Sequence, residues 1–462
     1  MNLTLELLAL AQSWRHVFAQ ERTTLRSHQL MLALLLCVGR KWITRIHGTR
    51  NSPGLDWSAD YKLFSRSSWE VRDLFLPIIE GTLPYWGQGP IMIAGDETRT
   101  RRAGNKVKRA RWTRDPLSPP FHVNFIKGIR WVQFSALVPL TGQQGRTARG
   151  LPISFTPVDL PPKPAPKASN QEKTQYKKAK NQGLMCLHAR EELRHLRERY
   201  DQQGASKRVM LVALDGGFCN RKMFTANLER TVLIARTRKD AVLCHQDKDP
   251  QHPRRVYSPT KFSPEQIAKD HEQHPWRTIN IFFGGKKRSI RYKQVTQLLW
   301  QGGARRKPLR LIVLAPTPYQ LSPGMPRYYR QYAYLLVDDH RQALKHILQC
   351  YFDRWQIEVN HREEKQHIGI TEAQVWNDQS VDRVPAFKVA TYSILMLASL
   401  KAFGPDRTSD YAPLPPWRKR TPLRPSCLDI IQRLRQEAVD HPQQFQSSQF
   451  NPDTTQILLN AA

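Results

Sequence analysis

The sequence predicts an α/β protein: a mixed sheet flanked by helices, with a β-rich insertion and an all-helical N-terminal region. Three observations predict it. Two apolar runs, residues 91–96 and 207–215, each close on an aspartate, as buried strands of open sheets do where polar groups emerge at a strand end. Helical patterns precede and follow these runs. Between about 240 and 335 the alternation gives way to strand-like pieces parted by Gly, Pro and basic residues.

Residues 1 to about 85 read as helices. Leu3, Leu5, Leu7, Leu8, Leu10 and Ala11 begin an amphipathic run, and residues 29–39 form a buried helix stopped by Gly39. Short helices around residues 41–47 and 57–64, with interspersed basic and aromatic residues, suit a helix-turn-helix-like DNA reader. An ordinary helical bundle would read the same way. Residues 91–96 are then a buried strand with Asp96 at its end. A loop dense in cations follows: Arg99, Arg101, Arg102, Lys106, Lys108, Arg109, Arg111 and Arg114, with Trp112 among them. Coming directly after a buried carboxylate, it reads as a loop that tracks phosphates. Residues 121–140 are expected to form a hairpin turning near Lys127 and Gly128, and 171–200 a long charged helix.

Residues 207–215 form the second buried strand, ending at Asp215. Gly216 and Gly217 follow, and residues 231–236 make another strand. The β-rich stretch returns to the sheet near 337. Helices are expected over about 340–367 and 384–402, and past 404 the chain is Pro-rich and polar, with one helix near 426–438.

Length and charge narrow the function. A chain of 462 residues holds two or three domains. Lys and Arg number 72 against 39 Asp and Glu, a net charge of +33, with a pI near 10.2. That charge calls for a polyanion, most often nucleic acid. The longest apolar run, residues 31–38, is too short to span a bilayer, and the start lacks the pattern of a secretory signal. Six scattered cysteines without a C-x-x-C pair are expected to be reduced thiols of a cytoplasmic protein. Cys244, His245, His252, His271 and His274 lack a second half with zinc spacing.

The chemistry concentrates in residues 351–365. On a helix, Tyr351, Arg354, Glu358, Arg362 and Lys365 fall within about 80° of one another. An exposed ion-pair face would show a similar spacing. Two strand-end aspartates, however, give Glu358 a purpose. Asp96, Asp215 and Glu358 are hard oxygen donors of the kind that suits Mg²⁺ or Mn²⁺. Two such ions would activate water or a 3′-hydroxyl and stabilise the leaving oxygen in phosphoryl transfer.

The spacing Tyr351-x(2)-Arg354-x(3)-Glu358-x(6)-Lys365 resembles the Y-R-E-K signature of bacterial DDE insertion-sequence transposases. Asp96-Glu97-Thr98 is similar to that family's first-Asp motif and Leu214-Asp215-Gly216-Gly217-Phe218 to its second. The resemblance implies a ribonuclease-H-like catalytic domain over residues 89–240 and 331–403, interrupted by the insertion at 241–330. A helical DNA-binding domain over 1–88 would precede it, and a Pro-rich polar tail, 404–462, would follow. It implies that Asp96, Asp215 and Glu358 hold two metal ions and that Tyr351, Arg354 and Lys365 contact DNA near the cleaved end. Thr98 would support the first Asp, and a homodimer would pair the transposon ends.

Relatives hold a flipped base with a Trp of the insertion, and both Trp276 and Trp300 lie in that region. Arg101, Arg102, Lys106, Lys108 and Arg362 are expected to contact the DNA backbone. The alternatives are a transposase-derived DNA-binding protein without catalysis and another ribonuclease-H-like nuclease.

Overall fold

The computed structural model describes all residues except 1, 51–53, 55, 103, 116, 117, 120, 144, 183, 321–323, 340, 419, 420, 451, 453–456 and 458–462. Five helices open the chain: α1 (Leu3–Gln12), α2 (Glu21–Leu36), α3 (Ile43–Gly48), α4 (Trp57–Ser65) and α5 (Leu76–Thr82). The sheet then begins with β1 (Ile91–Arg101), β2 (Arg111–Arg114), β3 (Phe125–Gly142) and β4 (Gly145–Pro157). Helices α6 (Asn170–Gln182) and α7 (Met185–Tyr200) lead to β5 (Met210–Leu214), α8 (Arg221–Phe224) and β6 (Thr231–Arg236). The order β4-β3-β1-β5-β6, antiparallel among the first three and parallel from β1 to β6, is the ribonuclease-H arrangement. The residues of β5 and the first four of β1 are wholly buried, because helices cover both faces.

The insertion supplies β7 (Leu243–Gln246), β8 (Tyr257–Phe262), α9 (Pro264–Lys269), β9 (Arg277–Phe283), β10 (Lys286–Trp300) and β11 (Arg305–Leu314). The two-residue strands β12 (Pro318–Tyr319) and β13 (Tyr328–Tyr329) pair with each other, and β14 (Ala333–Val337) returns. These strands build no separate core. β14 pairs antiparallel with β6, β11 with β14 and β10 with β11, so the catalytic sheet grows to twelve strands.

Four helices complete the chain: α10 (Leu344–Asp353), α11 (Trp355–Gln366), α12 (Asp378–Phe403) and α13 (Cys427–Asp440). α12 is long and apolar enough to cross a membrane, but 89% of that stretch is buried inside the protein. It is the post around which α1, α4 and α5 pack.

Several expectations change. Asp96 is not at a strand end: β3 pairs with β1 as far as Arg101, so the strand runs on for five residues. The expected hairpin at 121–140 is a single strand. Gly128 serves close approach rather than a turn, since a Cβ there would lie 2.5 Å from Thr100 O of β1. The fold-back instead comes at Gly142 and Gly145, the latter with φ +135°. The charged helix at 171–200 is two helices, because Leu184 takes an extended ψ of 136°. The chain past 404 folds back on the N-terminus. Glu437 of α13 accepts hydrogen bonds from the Leu3 and Thr4 amides (3.1 and 2.8 Å) and so caps the start of α1.

Candidate active site

β1 and β5 set the first two carboxylates. They run parallel with Gly95 opposite Leu214, so Asp96 and Asp215 leave neighbouring strands at one level. The third comes from above. The Cys350 Sγ of α10 lies 3.7 Å from Ile93 O and 3.6 Å from Leu211 O, which seats that helix across both strands. Arg354 joins α10 to α11 with helical torsions (φ −50°, ψ −32°), so the helical path from Tyr351 to Lys365 barely breaks. Glu358 sits in the first turn of α11, where the helix dipole favours an anion.

Arg354 ties the site together. Its Nη1 is 3.7 Å from Asp96 Oδ2 and its Nη2 donates to Glu358 Oε1 at 3.1 Å. Burial pushes the Asp96 carboxyl up to about 6. Asp215 and Glu358 push the same way, against Arg354 and the Glu97 N–H, which donates to Asp96 Oδ1 at 2.8 Å. Burial also raises Glu358, helped by Asp215 and opposed by Arg354 and Arg330. The Tyr351 hydroxyl is raised by burial and by Asp215, with Arg236, Arg354 and Arg330 opposing. Lys365 is lowered by burial, while Glu364 and Asp96 favour its charge. Asp96, Asp215, Glu358, Tyr351, Arg354 and Lys365 therefore share one field.

As arranged, no group of three or more His, Cys, Asp and Glu side chains among the described residues is set to hold a metal ion. The donor set nevertheless fits a divalent cation in kind. Three carboxylates from three elements act on one another, Asp215 exposed and Asp96 and Glu358 partly buried with their charged forms disfavoured. The guanidinium between Asp96 and Glu358 occupies the position of a compensating cation.

The remaining predicted residues scatter. Thr98 is buried on the Asp96 side of β1, but its Oγ1 has no hydrogen-bond partner, so it makes no bond to Asp96. Arg102 is a correction. It is buried beneath the segment after α11, donates to Thr371 O at 3.0 Å, and is held down to about 10 by burial. Beyond Glu97, β1 turns Arg99 and Arg101 outward and Thr98 and Thr100 inward, and Arg102 continues the inward row. Arg101 is exposed and 3.5 Å from Asp115. Lys106 lies over the Trp376 ring at 5.6 Å, and Lys108 pairs with Asp378 at 3.1 Å. Arg362 is exposed on α11, and its charge acts against protonation of His367.

Sequence reasoning missed the basic and aromatic wall beside these groups. A cavity of about 600 Å³ is lined by Arg236, Phe283, Tyr329, Arg330, Tyr351 and Trp355, with Arg354 among its walls. A neighbouring one of about 560 Å³ is lined by Asp215, Arg236 and Trp300. Arg236 was legible in principle, since it ends the strand next to Asp215. Arg330 lies in a stretch without periodicity and carried no signal.

The chain matches the DDE superfamily endonuclease family over residues 16–307. It belongs to that family. The matched region includes Asp96 and Asp215 and stops short of α11, which carries Glu358. A search of curated proteins gives no match. As a DDE endonuclease the protein is a transposase-like nuclease that acts on DNA with divalent metal ions.

Proposed function

We propose that this endonuclease is a DNA transposase of the insertion-sequence type, which binds terminal inverted repeats, cleaves the ends and joins them to target DNA. The observation that carries this reading is the meeting of Asp96, Asp215 and Glu358 with Arg354, Tyr351 and Lys365 at the mouth of a basic cavity. Asp96, Asp215 and Glu358 would hold two Mg²⁺ or Mn²⁺ ions. Bound there, the ions would supply an activated nucleophile and charge stabilisation at the leaving oxygen.

The chain's own residues do the rest. Arg354, which lies beside Asp96 and Glu358, would offer its planar fork to the phosphate beside the cut. Lys365, half-buried and close to Asp96, adds a second positive charge. Tyr351 lines the cavity and positions the sugar-phosphate chain. Trp300 shares a cavity with Asp215, whereas Trp276 is stacked on Tyr332 at 6.2 Å and lies under Lys293, so Trp300 is the one to meet a displaced base. A homodimer would hold both ends. Arg354 lying between Asp96 and Glu358 is the observation that favours the rival reading, a DNA-binding relative without catalysis.

The test uses purified protein, Mg²⁺ and duplexes carrying the inverted repeats that flank the gene. Cleavage followed by joining to a plasmid is expected. Asp96→Asn, Asp215→Asn and Glu358→Gln should each abolish cutting while the duplex is still retarded in a gel. Cutting retained by any of the three removes that residue from the site, and end binding by wild type without any cutting favours the rival.

A further inference from the structure

The catalytic face of the sheet does not stop at the site. In an antiparallel pair, directly opposed residues share a face and every second residue returns to it. Asp96 faces Gln133, and Thr98 faces Trp131. The same row on β3 continues through Ile129 and Lys127 to Phe125. Lys127 is opposed on β2 by Trp112, and Phe125 by Arg114. The register is unbroken over this whole length. α11 covers the row near Asp96, where Gln133 Nε2 donates to Glu364 Oε1 at 2.8 Å. Past that cover the row stays buried at Trp131 and Ile129, and it reaches solvent at Lys127 and Phe125.

What it exposes is unusual for a sheet margin. Trp112 is 68% exposed, Phe125 63% and Phe121, just before β3, 90%. Cations alternate with them: Trp112 against Lys127 and Arg114 against Phe125 make a checkerboard. The hairpin is braced from the opposite face, where Arg99 donates to Thr113 Oγ1 at 3.2 Å and to Arg114 O. Lys127 is held by Asn105 Oδ1 at 2.8 Å. Exposed rings interleaved with cations match a polyanion whose flat bases can stack on the rings.

We propose that this face of the β2–β3 hairpin is a wedge for duplex DNA. Trp112 and Phe125 press between base pairs while Arg114 and Lys127 hold the flanking phosphates, bending the duplex. The inference rests on the reading of the site as a DNA-cutting centre, and it adds where else the duplex is held. Lys127 lies six residues along β3 from Gln133. At a strand's rise this is about 20 Å, or about six base pairs from the phosphate that is cut.

The test needs no knowledge of the terminal repeats. A random-sequence duplex with donor and acceptor dyes at its ends is titrated with the full-length protein in EDTA, and binding and energy transfer are read together. Wild type should bend the duplex. Trp112→Ala/Phe125→Ala, both at exposed positions, should bind about tenfold more weakly and lose the change in transfer, with the salt dependence of binding unchanged. Arg114→Ala should keep the bend and lower the salt slope by about one. Trp112→Phe should restore most of the bend. A double variant that binds and bends as wild type does overturns the wedge alone. A wild-type dimer in sedimentation without DNA that the double variant splits gives the face to a second copy and overturns it too. Wild type that binds no duplex overturns the reading of the site as well.

Discussion

Arg101 and Arg102 are neighbours in sequence and opposites in role, because a strand turns successive side chains to opposite faces. Arg101 meets solvent, and Arg102 spends its charge on a backbone carbonyl inside the protein. Arg102→Met should therefore cost stability, about 1–3 kcal/mol by denaturant titration, and leave the salt slope of DNA binding as it was. Arg101→Ala should do the reverse, leaving the midpoint in place and lowering the slope by about one. The sequence showed a run of cations here and no way to sort them. Sorting needs the length of β1, which is set by how far β3 goes on pairing with it.

At the scale of the element, the fit of α11 on the sheet decides where Glu358 stands. Gly150 of β4 lies beneath that helix, and an added Cβ would fall onto Asn360 Oδ1 and within 3.1 Å of Gln356. Asn360 Nδ2 donates to Gly150 O at 2.9 Å and to the Tyr392 hydroxyl at 3.0 Å, fixing α11 against both β4 and α12. Gly150→Ala is expected to lift α11. It should cost about 1–3 kcal/mol and reduce cleavage far more than duplex binding, since the basic surface remains. Equal loss of cutting and binding would show that α11 is not the element displaced. The helical spacing of Tyr351, Arg354, Glu358 and Lys365 was readable in sequence. That this face meets β1 and β5 follows from Cys350, and Asn360 holds α11 over β4; neither carries a motif.

Across the whole molecule, buried lysines tie the N-terminal helices to the catalytic half. Lys388, in the middle of α12, donates to Lys41 O at 2.7 Å and to Gly369 O at 2.9 Å, just past α11. Burial brings its pKa down to about 7 from an ordinary 10.5, with Glu372 opposing and Arg102 and Lys41 adding to the fall. The unfolded chain thus holds a proton between these values that the folded chain has released. Stability should rise with pH from about 7 towards 10, by at most about 1.4 kcal/mol per unit for this group. Lys41, lowered to about 8 mainly by burial, acts in the same direction. Lys388→Met should flatten part of that rise in denaturant titrations at a series of pH values, and an unchanged slope would mean that the ammonium stays charged inside.

The sequence by itself determined the chemistry of this protein: the polyanionic partner through its charge, two aspartates on apolar strands, and a glutamate at helical spacing from its cationic companions. These are local properties, written in composition and period. The tertiary structure alone decided which of them meet. The parallel register of β1 and β5 brings Asp96 level with Asp215, and Arg354 then lands between Asp96 and Glu358. The same pairing buries Arg102, turns an expected hairpin into one long strand and carries Trp112 and Phe125 out onto the catalytic face. Register and helix docking depend on contacts between residues far apart in the chain, and no local pattern encodes their outcome.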